Sequence, residues 1–202
     1  MKTSELHLIS TGKQEAEQFA DILGTIHSYI DFIHLREKAR SAKEIYHLIE
    51  LLTDRKVPRS KIVVNDRIDV AVAAKIDHIQ LASHSLPVEL VKHAFQDIKT
   101  GCSIHSVEEA RLAEKNGADF LFFGHIFPTQ SKPGLCPNGI EQLRNVVESV
   151  AIPVIAIGGI TPELAPDVIA AGAKGVAVMS GVLGDADPLK AVKEYRTFLH
   201  QG

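Results

Sequence analysis

The stretch His34-Leu35-Arg36-Glu37-Lys38 sets an imidazole and two cations at alternate positions. On extended chain alternate residues share a face, so the three together could hold a phosphate or a carboxylate. A second group lies between Asp119 and Gly134, where the apolar run DFLFF gives out into Gly124-His125, a Phe-Pro-Thr turn and a Ser-Lys-Pro-Gly loop. An imidazole there, with an ordinary pKa of about 6.5, could take and return a proton near neutrality. A third group is Gly158-Gly159 in AIGGITPE, just before a helical stretch, with Ser180-Gly181 in AVMSGV. Glycine lets backbone approach a ligand closely, and free N–H groups at a helix start accept an anion. Two smaller sets accompany these. Asn65-Asp66-Arg67 reads as a ligand-binding pair or, more simply, as helix-capping chemistry. In Ser103-Ile104-His105 the serine faces inward and His105 precedes a helix cap.

These residues need a frame, and the chain supplies a repetitive one. Short apolar, β-branched runs recur at Glu5, Asp31, Lys61, Asp77, Thr100, Asp119, Ile152 and Lys174, each followed by residues of helical periodicity. Ser41, Ser106 and Thr161 stand where helices should be capped, and Gly117 and Gly172 where helices should stop. The runs are apolar enough to be buried on both faces, as parallel strands covered by helices are. Eight strand–helix units in series predict a closed (β/α)8 TIM barrel, formed as one domain over residues 1–202. No Gly-x-Gly-x-x-Gly follows the first strand, which removes the dinucleotide-binding alternative. In a barrel, sites form from loops at the C-terminal ends of strands, and a phosphate site after strands seven and eight recurs. His125, Arg36, Lys38 and the Gly158-Gly159/Ser180 pair all fall at that end.

Composition narrows the class of partner. With 45% hydrophobic and 23% charged residues, the 202-residue chain can bury a sizeable core. The net charge is -3, from 22 basic and 25 acidic residues without clustering, which argues against a nucleic-acid surface. No segment has signal-peptide character or bilayer-spanning length, so no membrane partner and a cytoplasmic location are expected. Cys102 and Cys136 form neither a disulfide framework nor a metal-ligand spacing, and Cys102 reads as a small core residue. His27, His47, His93 and His200 receive no chemistry. The residues leave the oligomeric state open, although barrels of this kind often pair through their helices as homo-oligomers, dimers or tetramers.

The motifs HLREK, VVNDRIDVA, GCSIHSVEEA, FFGHIFPTQSKPG, PVIAIGGITPE and GVAVMSGV resemble, in order and along nearly the whole chain, the thiamin phosphate synthase superfamily. The resemblance implies a TIM barrel. It also implies that His34 to Lys38 binds a pyrimidine pyrophosphate, with Arg36 and Lys38 at cationic positions. Asn65, Ser103 and Lys132 match further pyrophosphate contacts, and Asp66 a magnesium ligand. Thr129, Gln130, Ser131, Gly159, Met179 and Ser180 match the site for a thiazole phosphate. Three departures stand out: His34 where a synthase has glutamine, Ser85 at the place of a second aspartate, and Gly124-His125 where a synthase has Gly-Pro. They resemble the thiazole tautomerase branch (TenI type). That likeness implies an isomerase in which His125 moves the proton that aromatises a carboxylated thiazole phosphate, with no metal or organic cofactor. A magnesium-dependent synthase, a transferase, is the alternative; a non-catalytic thiazole-phosphate-binding regulator is another.

Overall fold

The computed structural model describes residues 4–199, so His200 lies outside the described residues. Eight strands run parallel and close in chain order: β1 (Glu5–Ile9), β2 (Phe32–Leu35), β3 (Ile62–Asn65), β4 (His78–Leu81), β5 (Lys99–Ile104), β6 (Phe120–Gly124), β7 (Val154–Ile157) and β8 (Gly175–Val178). Pairing of β1 with β8 shuts the ring, His7 opposite Ala177. The helices are α1 (Ala16–Ile26), α2 (Ala42–Asp54), α3 (Ile68–Ala73), α4 (Val88–Ala94), α5 (Val107–Lys115), α6 (Gly139–Ser149), α7 (Ala165–Ala170), α8 (Ser180–Leu183) and α9 (Pro188–Leu199). This is a (β/α)8 barrel. Among the described residues no helix is long and apolar enough to cross a membrane.

Local chemistry sets the helix ends. Ser41 and Glu44 cap α2 reciprocally, the Glu44 carboxylate accepting from the Ser41 N–H at 2.7 Å. Ser106 accepts from the Glu109 N–H at 3.1 Å and caps α5. Gly117 and Gly172, at φ +92° and +96°, take the left-handed conformation that ends α5 and α7. Thr161 departs from expectation. Its hydroxyl donates to the Glu163 carboxylate at 2.7 Å, and the next residues, Pro162–Leu164, form a 3-10 turn ahead of α7.

Strand alternation divides the core. Leu6, Leu8, Ile33, Leu35, Ile62, Val64, Ile79 and Leu81 face outward into one large cluster with the helices. Inside the ring, Ile9, Phe122, Ile155 and Ala177 form a smaller apolar cluster backed by Phe120, Ile157 and Met179. The expectation of strands apolar on both faces therefore holds for β6 to β8 and fails for β2 to β5. There the inner positions are His34, Asn65, Gln80 and Ser103.

Candidate functional site

The polar inner row lies beneath the barrel's C-terminal mouth, where Asn65 and Gln80 line a cleft. Register places His34 opposite Val63, and Asn65 opposite Gln80, bringing the four side chains onto adjacent strands. Gln80 Nε2 donates to Ser103 Oγ at 3.0 Å, so Ser103 does face inward. His34 is fully buried, and its Nε2 lies 2.9 Å from Nδ1 of His7, also buried, on the neighbouring strand. Burial, with His7 and His78 nearby, holds the His34 imidazole well below its ordinary range; Asn65 opposes this weakly. Sequence reasoning missed His7 and Gln80. Both stand at inward positions of ELHLI and HIQL, and a strict period-2 reading of those strands would have found them.

Cations rim this floor, in a different arrangement from the one expected. β2 ends at Leu35, so Arg36 and Lys38 follow the strand and the alternation does not carry through to Lys38. Arg36 is half-buried, its N–H donating to Ser10 Oγ at 2.9 Å, while Lys38 is exposed. They share a cleft with Asn65, Asp66, Arg67 and His84. Asn65 and Asp66 do not cap α3, because Arg67 takes the capping position and pairs with Asp69. Asp66 instead turns outward at φ +65°, its carboxylate 3.7 Å from His84 Nε2. Ser85 Oγ is taken up in accepting the Ala82 N–H at 2.9 Å. Among the described residues no three His, Cys, Asp or Glu side chains are grouped to hold a metal ion. One carboxylate beside an imidazole is a poor match for magnesium, which is bound by oxygen ligands in near-octahedral geometry.

Across the mouth, the loops after β6 and β7 pack backbone on backbone, the Phe127 N–H donating to the Gly158 carbonyl at 3.0 Å. Gly158 and Gly159 take φ +100° and +68°. A Cβ on Gly158 would overlap His125, and one on Gly159 would come within 2.5 Å of the Pro128 carbonyl oxygen and 2.6 Å of that of Phe127. The paired glycines therefore serve loop packing as well as any anion. The N–H groups of Gly159, Ser180 and Gly181 meet no acceptor among the described residues. Tyr195 of α9 supports this corner: its buried hydroxyl donates to the Ile160 carbonyl at 2.9 Å, and only a glycine at 181 leaves it room. Burial, aided by Glu163, pushes the phenol pKa up to about 12. Thr129 starts a turn that the Lys132 N–H closes at 3.2 Å, presenting Gln130, Ser131 and Lys132 to solvent. Met179 is half-buried and Ser180 exposed at the start of α8.

His125 is placed differently from its companions. It is 6% exposed, and its Nε2 lies 3.3 Å from the Leu135 carbonyl oxygen, beneath the loop that follows β6. Its own carbonyl accepts the Asn138 N–H at 2.9 Å. His105 is exposed, with its N–H bonded to Glu109 at 2.7 Å and its Nδ1 3.3 Å from the Gly124 carbonyl.

The profile described as thiamine monophosphate synthase matches residues 6–182. The chain belongs to that family. A thiamine-phosphate synthase of Pyrococcus abyssi is 42% identical over 172 residues, covering 84% of this chain and 82% of that protein. The thiamine-phosphate synthase of Pyrococcus horikoshii is 36% identical over 196 residues, covering 96% and 94%. The solved thiamine phosphate pyrophosphorylase of Pyrococcus furiosus superposes with a TM-score of 0.83 at 35% identity, covering 99% and 97% of the two chains.

These likenesses overturn the tautomerase expectation. The two relatives matched in sequence are named as synthases, which are transferases, the solved structure is named as a pyrophosphorylase, and none of these names speaks for an isomerase. The three departures that suggested the other branch therefore occur within a chain close to synthases. His125, assigned a proton shuttle, loses the reaction that required one. A cavity of about 270 Å³ opens at the opposite end of the barrel between Glu5, His7, Phe32, His78 and Phe120, with His7 separating it from His34.

Proposed function

We propose that this chain is a thiamin phosphate synthase that joins a pyrimidine pyrophosphate to a thiazole phosphate and releases pyrophosphate. The single observation that carries the reading is the likeness to synthases at 36–42% identity over most of both chains. In this reading the thiazole ring nitrogen forms a bond to the methylene carbon of the pyrimidine. The carbon–oxygen bond to pyrophosphate breaks, and its electron pair leaves on that oxygen. No proton need move, so catalysis rests on holding the two partners in line and stabilising the leaving group's charge.

The two sides of the mouth suit two partners. Arg36 and Lys38 on one rim, Lys132 on the loop opposite, and Asn65 and Ser103 in the floor would bind the pyrophosphate. With Asp66 the only carboxylate of its cleft apart from the buried Glu37, already paired with Arg40 at 2.9 Å, much of the leaving group's charge falls to these cations. The free N–H groups of Gly159 and Ser180, with Gly158, Met179 and the turn of Thr129, Gln130 and Ser131, would hold the thiazole phosphate. His125 becomes a bolt for the loop that bears Thr129 to Lys132, through its contact with Leu135.

Incubation with both substrates should release thiamin phosphate and pyrophosphate in equal amounts, with Arg36→Ala raising KM for the pyrimidine pyrophosphate about tenfold or more. Failure to couple the substrates, or an Arg36→Ala variant affected only toward thiazole phosphate, would refute the assignment.

A further inference from the structure

Below the mouth, the barrel axis carries polar groups to which the coupling reaction gives no task. Glu5 and His7 on β1 and His34 on β2 touch end to end. The Glu5 carboxylate lies 3.2 Å from His7 Nε2, and His7 Nδ1 lies 2.9 Å from His34 Nε2. Phe122 sheathes this line, its ring centroid 4.8 Å from that of His34, while Phe32 stacks on His7 at 4.9 Å. Burial alone would raise the Glu5 carboxyl, but His7 and Lys174, the latter at 3.3 Å, outweigh it and keep the group ionised. Burial pushes both imidazoles down, so both are neutral at physiological pH.

Donor arithmetic then leaves a single arrangement. A carboxylate only accepts, and a neutral imidazole has one N–H and one lone pair. His7 must carry its proton on Nε2, facing Glu5, and so offers a lone pair at Nδ1. His34 must then donate from Nε2, which leaves a bare lone pair on its Nδ1. That nitrogen makes no hydrogen bond among the described residues, and neither do Asn65 Oδ1, whose side chain acts on the His34 ring, and Gln80 Oε1 on the next two strands. Buried acceptors left open at the floor of a mouth call for a ligand that donates.

We propose that Glu5 and His7 are positioning residues that fix the tautomer of His34, so that its Nδ1 accepts a hydrogen bond from an N–H of the bound pyrimidine. The ligand in this statement rests on the synthase reading: the pyrimidine half of thiamin carries one exocyclic amino group, its only N–H donor. A glutamine at position 34 could turn its amide either way. An imidazole depends on what lies behind it.

Long-range proton–nitrogen NMR of the full chain labelled with 15N-histidine, without ligand, reads the tautomer directly, with His34→Gln identifying the resonance. The expected result is a proton on His34 Nε2 and none on Nδ1; a proton on Nδ1 overturns the proposal whatever the chain turns over. Glu5→Gln keeps the volume but lets an amide donate to His7 and reverse the line. It should shift the His34 tautomer and raise KM for the pyrimidine pyrophosphate about three- to tenfold, leaving KM for the thiazole phosphate unchanged. In a His34→Gln background, Glu5→Gln should add nothing further. Equal rises in both KM values, or the full effect persisting without His34, would reduce Glu5 to general support and overturn the proposal. If the wild type fails to couple the substrates yet shows the Nε2–H tautomer, the synthase reading falls while the tautomer relay is supported.

Discussion

Replacing Gly159 with alanine tests the packed corner most sharply, because the strain can be separated from the contact. At φ +68° an alanine sits in the left-handed region at a cost of about 1 to 2 kcal/mol. Its Cβ would also lie 2.5 Å from the Pro128 carbonyl oxygen and 2.6 Å from that of Phe127, both main-chain atoms that cannot swing aside. Relief requires the loop after β6 to retreat by most of an ångström, an overpacking cost of about 1 to 3 kcal/mol. The sum, about 2 to 5 kcal/mol, corresponds to a Tm lowered by about 4 to 20 °C for a chain of this size. Gly134 provides the control. It has a similar φ of +76° but no atom within 4 Å of the built Cβ, so Gly134→Ala carries only the backbone term and should lower Tm by about 2 to 8 °C. The displaced loop bears Thr129 to Lys132, so Gly159→Ala should also raise KM for thiazole phosphate by about tenfold or more, while Gly134→Ala should not. Thermal melts and initial rates on the same preparations decide the matter. Equal melting temperatures for the two variants, with KM for thiazole phosphate unchanged, would refute the packing argument.

Two further outcomes are expected. His7 and His34 have pKa values depressed by burial, so below about pH 6.5 the unfolded chain takes up protons that the folded chain refuses. Stability present above that pH should fall on acidification by up to about 1.4 kcal/mol per pH unit for each histidine. His34→Gln should flatten the decline, and parallel stability curves for the two proteins between pH 6.5 and 5.5 would contradict it. Tyr195→Phe removes the donor to the buried Ile160 carbonyl and should destabilise by about 1 to 3 kcal/mol, measured in urea. It should also weaken thiazole phosphate binding while sparing the pyrimidine partner; unchanged stability would show that the bond carries nothing.

The barrel was legible because its signals are local and repeated. The strand runs are short and mostly apolar, α2 and α5 carry their own caps in Ser41 and Ser106, and eight repeats leave little freedom in topology. Arg36, Asn65, Ser103 and Gly159 were legible as mouth residues from their place at strand ends alone. Lys38 was misjudged because alternation was extended past Leu35, where the ladder stops and the chain turns. His7 and Gln80 escape a reading of ELHLI and HIQL as continuous apolar runs, which overlooks the alternation that sets both on the inner face. His125 drew too much weight. Sequence places a histidine at a strand end but cannot say whether its imidazole meets the mouth or, as here, a carbonyl of its own loop. The three departures from a synthase pattern pointed to another branch, yet a few substitutions at a site weigh less than likeness along the whole chain.

The lumen is divided lengthwise, with an apolar arc of Ile9, Phe122, Ile155 and Ala177 facing a polar arc of His34, Asn65, Gln80 and Ser103. Cohesion and recognition thus sit on different staves of the same ring. Residues on the first arc touch each other and tolerate only changes that conserve volume. Those on the second leave three buried acceptors open, so much of their chemistry is directed at something outside the chain. Such a barrel can change what it recognises by exchanging a few side chains on β2 to β5 while the opposite wall holds the ring closed.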